Sequence, residues 1–178
     1  MLYLVRHGRP AIDRSRPAHE WPLDPAYAGD VRALRPRLPQ HAAWYSSPEA
    51  KAIGTARLLT HEAVEVVDDL REHERHTTEW VEDFETVVRR AFERPDVPAH
   101  DGWEPLADTR RRVVAAAAAI LDVNPSGDVV LVGHGTAWTL LRAALSGEPP
   151  DLDAWTRLSM PDVLQYEAGD GLGDMLVP

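Results

Sequence analysis

Met1-Leu2-Tyr3-Leu4-Val5-Arg6-His7-Gly8 is an apolar run that ends on an arginine, a histidine and a glycine. Its core, Leu2 to Val5, has the length and apolar character of a short buried strand. Ligands of open α/β sheets bind in the crevice beyond the carboxyl ends of the strands. A cation and a potential nucleophile therefore leave this strand where a substrate would sit. Gly8, lacking a Cβ, allows backbone to come close to an anion.

The same arrangement recurs late in the chain, where the run Val129 to Val132 is followed by Gly133-His134-Gly135. Ala42 to Tyr45 and Val64 to Val67 read as two further strands, and the turn sequence Asn124-Pro125-Ser126-Gly127-Asp128 leads into the fourth. Helical patterns lie between them. One runs from Asp24 or Pro25 to about Arg35 and stops at Pro36. A second extends to about His61, with Ser47 as its N-cap and Pro48 at its first position. Glu82 to Glu93, Leu106 to Leu121 and Thr136 to Leu145 make three more, the last ended by Gly147. A candidate final strand covers Val163 to Glu167. Strands alternating with helices of this length predict an α/β fold, a three-layer α/β/α sandwich with a mostly parallel central sheet. The polar connections Pro10 to Asp24 and Asp68 to Val81 are long, and long loops in such folds carry function.

The 178 residues fit a single domain, 1–178, with no internal repeat and no low-complexity boundary. With no cysteine, the chain has no disulfide, thiolate metal site or cysteine nucleophile. Its 19 Lys and Arg against 29 Asp and Glu give a formal charge of −10, which argues against nonspecific binding to nucleic acid or to an anionic membrane. A small anionic substrate must then be drawn in by a few focused cations. The absence of a signal-like start and of a long apolar stretch predicts a soluble cytoplasmic protein. The oligomeric state is not encoded in any of these features.

In a parallel sheet His7 and His134 would project at one carboxyl edge. A largely neutral imidazole can attack phosphorus and form a phosphohistidine, which divides one displacement into two. Phosphoryl transfer needs cations and hydrogen-bond donors around the equatorial oxygens. Arg6 offers a planar fork for them, and His134 a further donor.

On these blocks the chain resembles the histidine phosphatase superfamily, the phosphoglycerate mutase-like group. Arg6-His7-Gly8 matches its first signature and Gly133-His134-Gly135 its later one. Ser46-Ser47-Pro48-Glu49-Ala50-Lys51-Ala52-Ile53-Gly54-Thr55-Ala56 matches a third, between them. The resemblance implies that His7 is the nucleophile and that Arg6, Gly8, His134 and Gly135 belong to the catalytic and phosphate-binding set. It puts Lys51 where the family has a second arginine: the charge is kept and the bidentate fork is lost. A solvated surface lysine is the other reading of Lys51. Leu70-Arg71-Glu72 corresponds to the segment that supplies the family's acid, which makes Glu72 the proton donor, with Glu74 as its local competitor. Near a phosphate dianion the Glu72 carboxyl group should be pushed toward its protonated form. Asp13 stands where an amide would donate to phosphate, so it is expected to turn away, pairing with Arg9 or Arg14; Arg9 is otherwise an exposed loop residue or a cation at the pocket entrance.

The implied function is a phosphatase acting on a small phosphomonoester through a phosphohistidine, with no cofactor and no metal. The alternatives are a phosphohistidine protein phosphatase and a phosphate-binding regulatory module with little turnover. His73 and His76 have a spacing that binds metal on a helix, but their segment lacks helical periodicity. Trp80 and Trp103 read as core caps, and Arg110 to Arg112 as a solvated helix face.

Overall fold

The structure is a computed structural model and describes residues 1–167. The expected domain extended to residue 178; its last residues lie outside those described. Five strands, β1 (Leu2–Arg6), β2 (Ala43–Ser46), β3 (Val64–Val66), β4 (Val129–Gly133) and β5 (Asp162–Tyr166), form one sheet in the order β3-β2-β4-β1-β5. β1, β2, β3 and β4 run parallel to one another, and β5 lies antiparallel beside β1.

Side chains along a strand alternate between faces, and here the alternation sorts the core into two halves. Leu2, Leu4, Val129 and Leu131 pack on one face against Val113, Ala117 and Ile120 of α4 (Leu106–Asp122) and Trp138 and Leu141 of α5 (Gly135–Ser146). Val5, Val130, Val132 and Trp44 pack on the other against Val31 of α1 (Ala28–Arg32) and Ala52, Ala56 and Leu59 of α2 (Ala50–Leu59). Helices thus cover both faces of the sheet. β4, covered on both sides, has every residue buried, which is why its sequence is uninterruptedly apolar.

Three sequence expectations change. The first predicted helix is fragmented: Asp24 caps a 3-10 turn, Pro25–Tyr27, α1 is one short piece, and Arg35–Arg37 forms another 3-10 turn. Ser47 is not an N-cap. α2 starts at Ala50, after Glu49, and receives no side-chain cap. The third is α6 (Leu152–Arg157), capped by Asp151, which its weak periodicity concealed. α3 (Phe84–Glu93), capped by Asp83, and α5, ending before Gly147, lie close to the positions expected.

Candidate active site

The parallel register brings the carboxyl ends of β1, β2 and β4 into line. The backbone N–H of His7 donates to Gly133 O and that of Ser47 to Val132 O, both at 2.9 Å. His7, the Ser47 to Lys51 segment and His134 therefore emerge side by side. Glu72 joins them through the connection after β3. A cavity of about 740 Å³ opens here, and its walls include Arg6, His7, Lys51, Glu72, His134 and Gly135.

Both histidines are buried, with ring centroids 5.0 Å apart and planes at 63°. His7 Nδ1 lies 2.6 Å from Gly8 O. A carbonyl only accepts, so Nδ1 carries the hydrogen and Nε2 keeps its lone pair. Burial foremost, then the charges of His134, Lys51 and Arg6, hold the His7 pKa well below the ordinary imidazole value. His7 is thereby kept neutral. The His134 ring has a different environment: Nε2 lies 2.6 Å from Glu49 Oε2 and 2.7 Å from Ser47 Oγ, while buried Nδ1 has no protein partner among the described residues.

Glu49 is a site residue that sequence reasoning missed. It sits inside the third matched block, but a glutamate next to the start of a helix reads as ordinary first-turn chemistry. The fold buries it. Glu49 Oε1 accepts the backbone N–H of Glu72 at 2.9 Å, so one carboxylate joins β2's exit, β4's exit and the loop after β3. Burial works against its charge, yet His134 and the hydrogen bonds from Ser47 and Glu72 prevail and hold its pKa far below the usual carboxylate range.

Glu72 caps the amino end of α5, where Thr136 N donates to Oε2 at 3.2 Å and Ala137 N to Oε1 at 3.1 Å. Burial again opposes the charge, but His134, Arg75 and the His73 backbone N–H lower the pKa from the ordinary value. Glu74 also lines the cavity, but its carboxylate is engaged by Arg71 and His76.

Lys51 is no surface residue. It is buried in the first turn of α2, and its Nζ donates to Ala18 O at 2.8 Å, tying the Pro10 to Asp24 loop to the cavity wall. Burial, together with Arg75, lowers its pKa despite Glu49 and Glu72. Arg6 donates to Leu158 O at 2.5 Å and lies against Gly135, where a Cβ would come 3.2 Å from its Nε. Gly8 behaves differently from expectation: it does not line the cavity, and its N–H is taken by Thr55 Oγ1 at 2.9 Å. The reason for glycine is packing, since a Cβ there would approach Val31 and Leu23 to 2.6 and 2.7 Å.

Arg75 was also missed. Its guanidinium lies 4.7 Å from the Phe84 ring and 4.8 Å from the Trp103 ring, and it lines the cavity with its Nε buried and unpartnered among the described residues. The charge-rich segment around it gave no signal of burial. Asp13 does turn away, toward Ser15 and Arg16 rather than Arg9 or Arg14; Arg9 stacks on Tyr27 and Arg14 on exposed Trp80. Trp80 is therefore not a core residue, whereas Trp103 is. His73 and His76 turn to separate partners, Glu104 O and Glu74.

Arg112 corrects the expectation of a solvated arginine face. Arg110 and Arg111 are exposed, but Arg112 donates to Arg71 O at 2.6 Å, Glu72 O at 2.7 Å and Glu104 Oε1 at 2.5 Å. It clamps the loop that carries Glu72 onto α4. Removing one member of a nearly buried pair leaves the other charge unmatched, so Arg112→Met should destabilise the protein by about 3 kcal/mol, read from urea unfolding.

A model of the histidine phosphatase superfamily, branch 1, matches residues 2–170. The chain belongs to this superfamily. No curated protein matches it in sequence. Among solved structures it is similar to Bacillus stearothermophilus YhfR, at 25% identity and TM-score 0.71, covering 94% of this chain and 92% of that one. It also resembles the mycobacterial glucosyl-3-phosphoglycerate phosphatase, at 22% identity and TM-score 0.68 over 89% and 84% of the two chains. A mutant phosphoserine phosphatase from Entamoeba histolytica in complex with phosphoserine shares the fold at 16% identity and TM-score 0.68 over 95% and 92%. This member of the superfamily has its paired histidines at the ends of adjacent parallel strands. Among its described residues, no helix is long and apolar enough to cross a membrane.

Proposed function

We propose that this histidine phosphatase hydrolyses a small phosphomonoester through a phosphohistidine at His7. The observation that carries this reading is the locked His7 tautomer, with the Nε2 lone pair free on a ring that walls a cavity shared with Arg6, Lys51, Glu72 and His134. Nε2 attacks phosphorus as the ester oxygen departs. Arg6, Lys51 and Nδ1 of His134, which has no protein partner among the described residues, are the groups assigned to the phosphoryl oxygens, where positioned charge contributes most to such a transfer.

Glu72 is the group assigned to the leaving oxygen. Without phosphate its carboxylate is ionised, and the positive end of α5 favours that form. A bound phosphate dianion beside it reverses the balance and favours the acid, which then protonates the departing alkoxide. The same carboxylate next accepts a proton from water as water attacks the phosphohistidine, releasing inorganic phosphate and restoring neutral His7. Arg75 adds a cation to the outer wall, suited to an anionic group on the substrate.

A panel of phosphomonoesters, with rapid quenching in alkali, tests the reading: turnover should be accompanied by an acid-labile, alkali-stable phosphoenzyme. Phosphate binding with neither turnover nor trapped phosphate would leave only the regulatory-module alternative. Lys51→Ala should reduce kcat by about 100-fold through loss of one donor. Steady-state kinetics checks this, and an unchanged kcat would return Lys51 to a purely structural role at Ala18.

A further inference from the structure

We propose that Glu49 is a positioning residue that keeps both ring nitrogens of His134 protonated, so that Nδ1–H rather than a lone pair meets the phosphoryl group. The proposal rests on the phosphohistidine reading and extends it to a residue that touches neither phosphorus nor the leaving group.

The argument starts from the hydrogens. Glu49 holds its carboxylate form, and a carboxylate only accepts, so the 2.6 Å contact requires Nε2–H. In a neutral ring Nδ1 would then carry a lone pair. That atom is buried, without a protein partner among the described residues, on a ring that walls the cavity. A lone pair there would repel phosphoryl oxygens, whereas an N–H would bind one.

The groups around the ring show what must supply the stabilising charge. From β1 come Arg6 and neutral His7, from the start of α2 Glu49 and Lys51, and from the loop after β3 Glu72 and Arg75; Asp162 lies beyond Arg6. Three are fixed cations. Of the carboxylates that line the cavity, Glu49 is hydrogen-bonded to the ring, Glu72 is held by the α5 backbone N–H groups, Glu74 by Arg71 and His76, and Asp68 by Arg71, while Glu20 sits on the loop beside Arg16. Ser47 Oγ adds a second neighbour at Nε2, at 2.7 Å, and its hydroxyl hydrogen serves Glu49. Glu49 also receives Glu72 N–H, so the same carboxylate that orients His134 sets the height of the acid's backbone.

The test is the pH profile of kcat/KM for Glu49→Gln. Glutamine preserves the shape and an acceptor oxygen but not the charge. The basic limb should move to lower pH, with activity below that limb reduced far less. Glu49→Asp, which keeps the charge, should retain the wild-type limb. An unmoved limb in Glu49→Gln overturns the proposal. So does tighter inhibition of Glu49→Gln by inorganic phosphate at every pH, which would make Glu49 a simple repulsive charge. Wild-type enzyme that turns over without a trapped phosphohistidine would overturn the parent reading and this proposal together; a trapped intermediate with an unmoved limb would overturn this one alone. A second measurement does not depend on Glu49→Gln. In wild-type protein labelled with ¹⁵N-histidine and saturated with inorganic phosphate, His134, assigned by its loss in His134→Gln, should show two protonated ring nitrogens. One protonated nitrogen overturns the proposal.

Discussion

His7→Ala should lower turnover of every phosphomonoester by about 10⁴-fold or more and abolish the trapped phosphoenzyme, because no other side chain can take over the attack. The geometry makes the size of the effect specific to this ring. Nδ1 is committed to Gly8 O, and the low pKa imposed by burial and by His134, Lys51 and Arg6 keeps Nε2 unprotonated well into the acidic range. His134 lies close by, but its Nε2 is committed to Glu49 and Ser47. The variant should still bind inorganic phosphate, since the cationic groups remain. Quench-flow trapping with a ³²P-labelled substrate checks the first outcome, and calorimetric titration with phosphate the second. Residual phosphoenzyme in His7→Ala would move the nucleophile elsewhere.

Glu72→Gln should cost about 10²- to 10⁴-fold in kcat on an alkyl phosphate and much less on p-nitrophenyl phosphate. An alkoxide cannot leave without a proton, whereas p-nitrophenolate can. The comparison between the two substrates separates proton donation from general damage to the site, because a distorted pocket would slow both alike. Some damage is expected: the glutamine amide cannot accept from both Thr136 and Ala137 as the carboxylate does, and one buried donor is left less well satisfied. Glu74→Gln, whose carboxylate is held by Arg71 and His76, should leave the alkyl-to-aryl ratio unchanged. Equal losses on both substrates for Glu72→Gln would remove it from the acid role.

Much of the site was legible because strand ends advertise themselves. A buried strand reads as an apolar run, and whatever polar residue follows it at the carboxyl end of a parallel sheet is exposed to the crevice. Arg6, His7, His134 and Gly135 were found that way. Lys51 and Glu72 came from the resemblance of two further blocks to a family pattern, and the cavity walls include both. Gly8 was read as letting backbone approach an anion, whereas the structure shows a position crowded by Leu23 and Val31, away from the cavity wall.

Glu49, Arg75 and Arg112 were hidden for one reason. Each is a charged residue, Arg75 and Arg112 in charge-rich stretches and Glu49 beside a helix start, and charge in a sequence signals solvent unless a partner is known. Their partners lie far along the chain: His134 is 85 residues from Glu49, and Glu72 is 40 residues from Arg112. Ser47 illustrates the converse error. Local sequence favours an N-cap, but its hydroxyl is 2.7 Å from His134 Nε2, a partner 87 residues away.

The sequence by itself determined the α/β class, the strands that carry the two histidines and their place at one sheet edge, because strand burial follows from local apolar patterns and parallel direction from the alternation of strands with helices. Only the tertiary structure decided the state of those histidines. Whether a ring nitrogen donates or accepts depends on the atom opposite it: Gly8 O opposite His7 puts a hydrogen on Nδ1 and leaves Nε2 its lone pair, whereas Glu49 opposite His134 requires a hydrogen on Nε2.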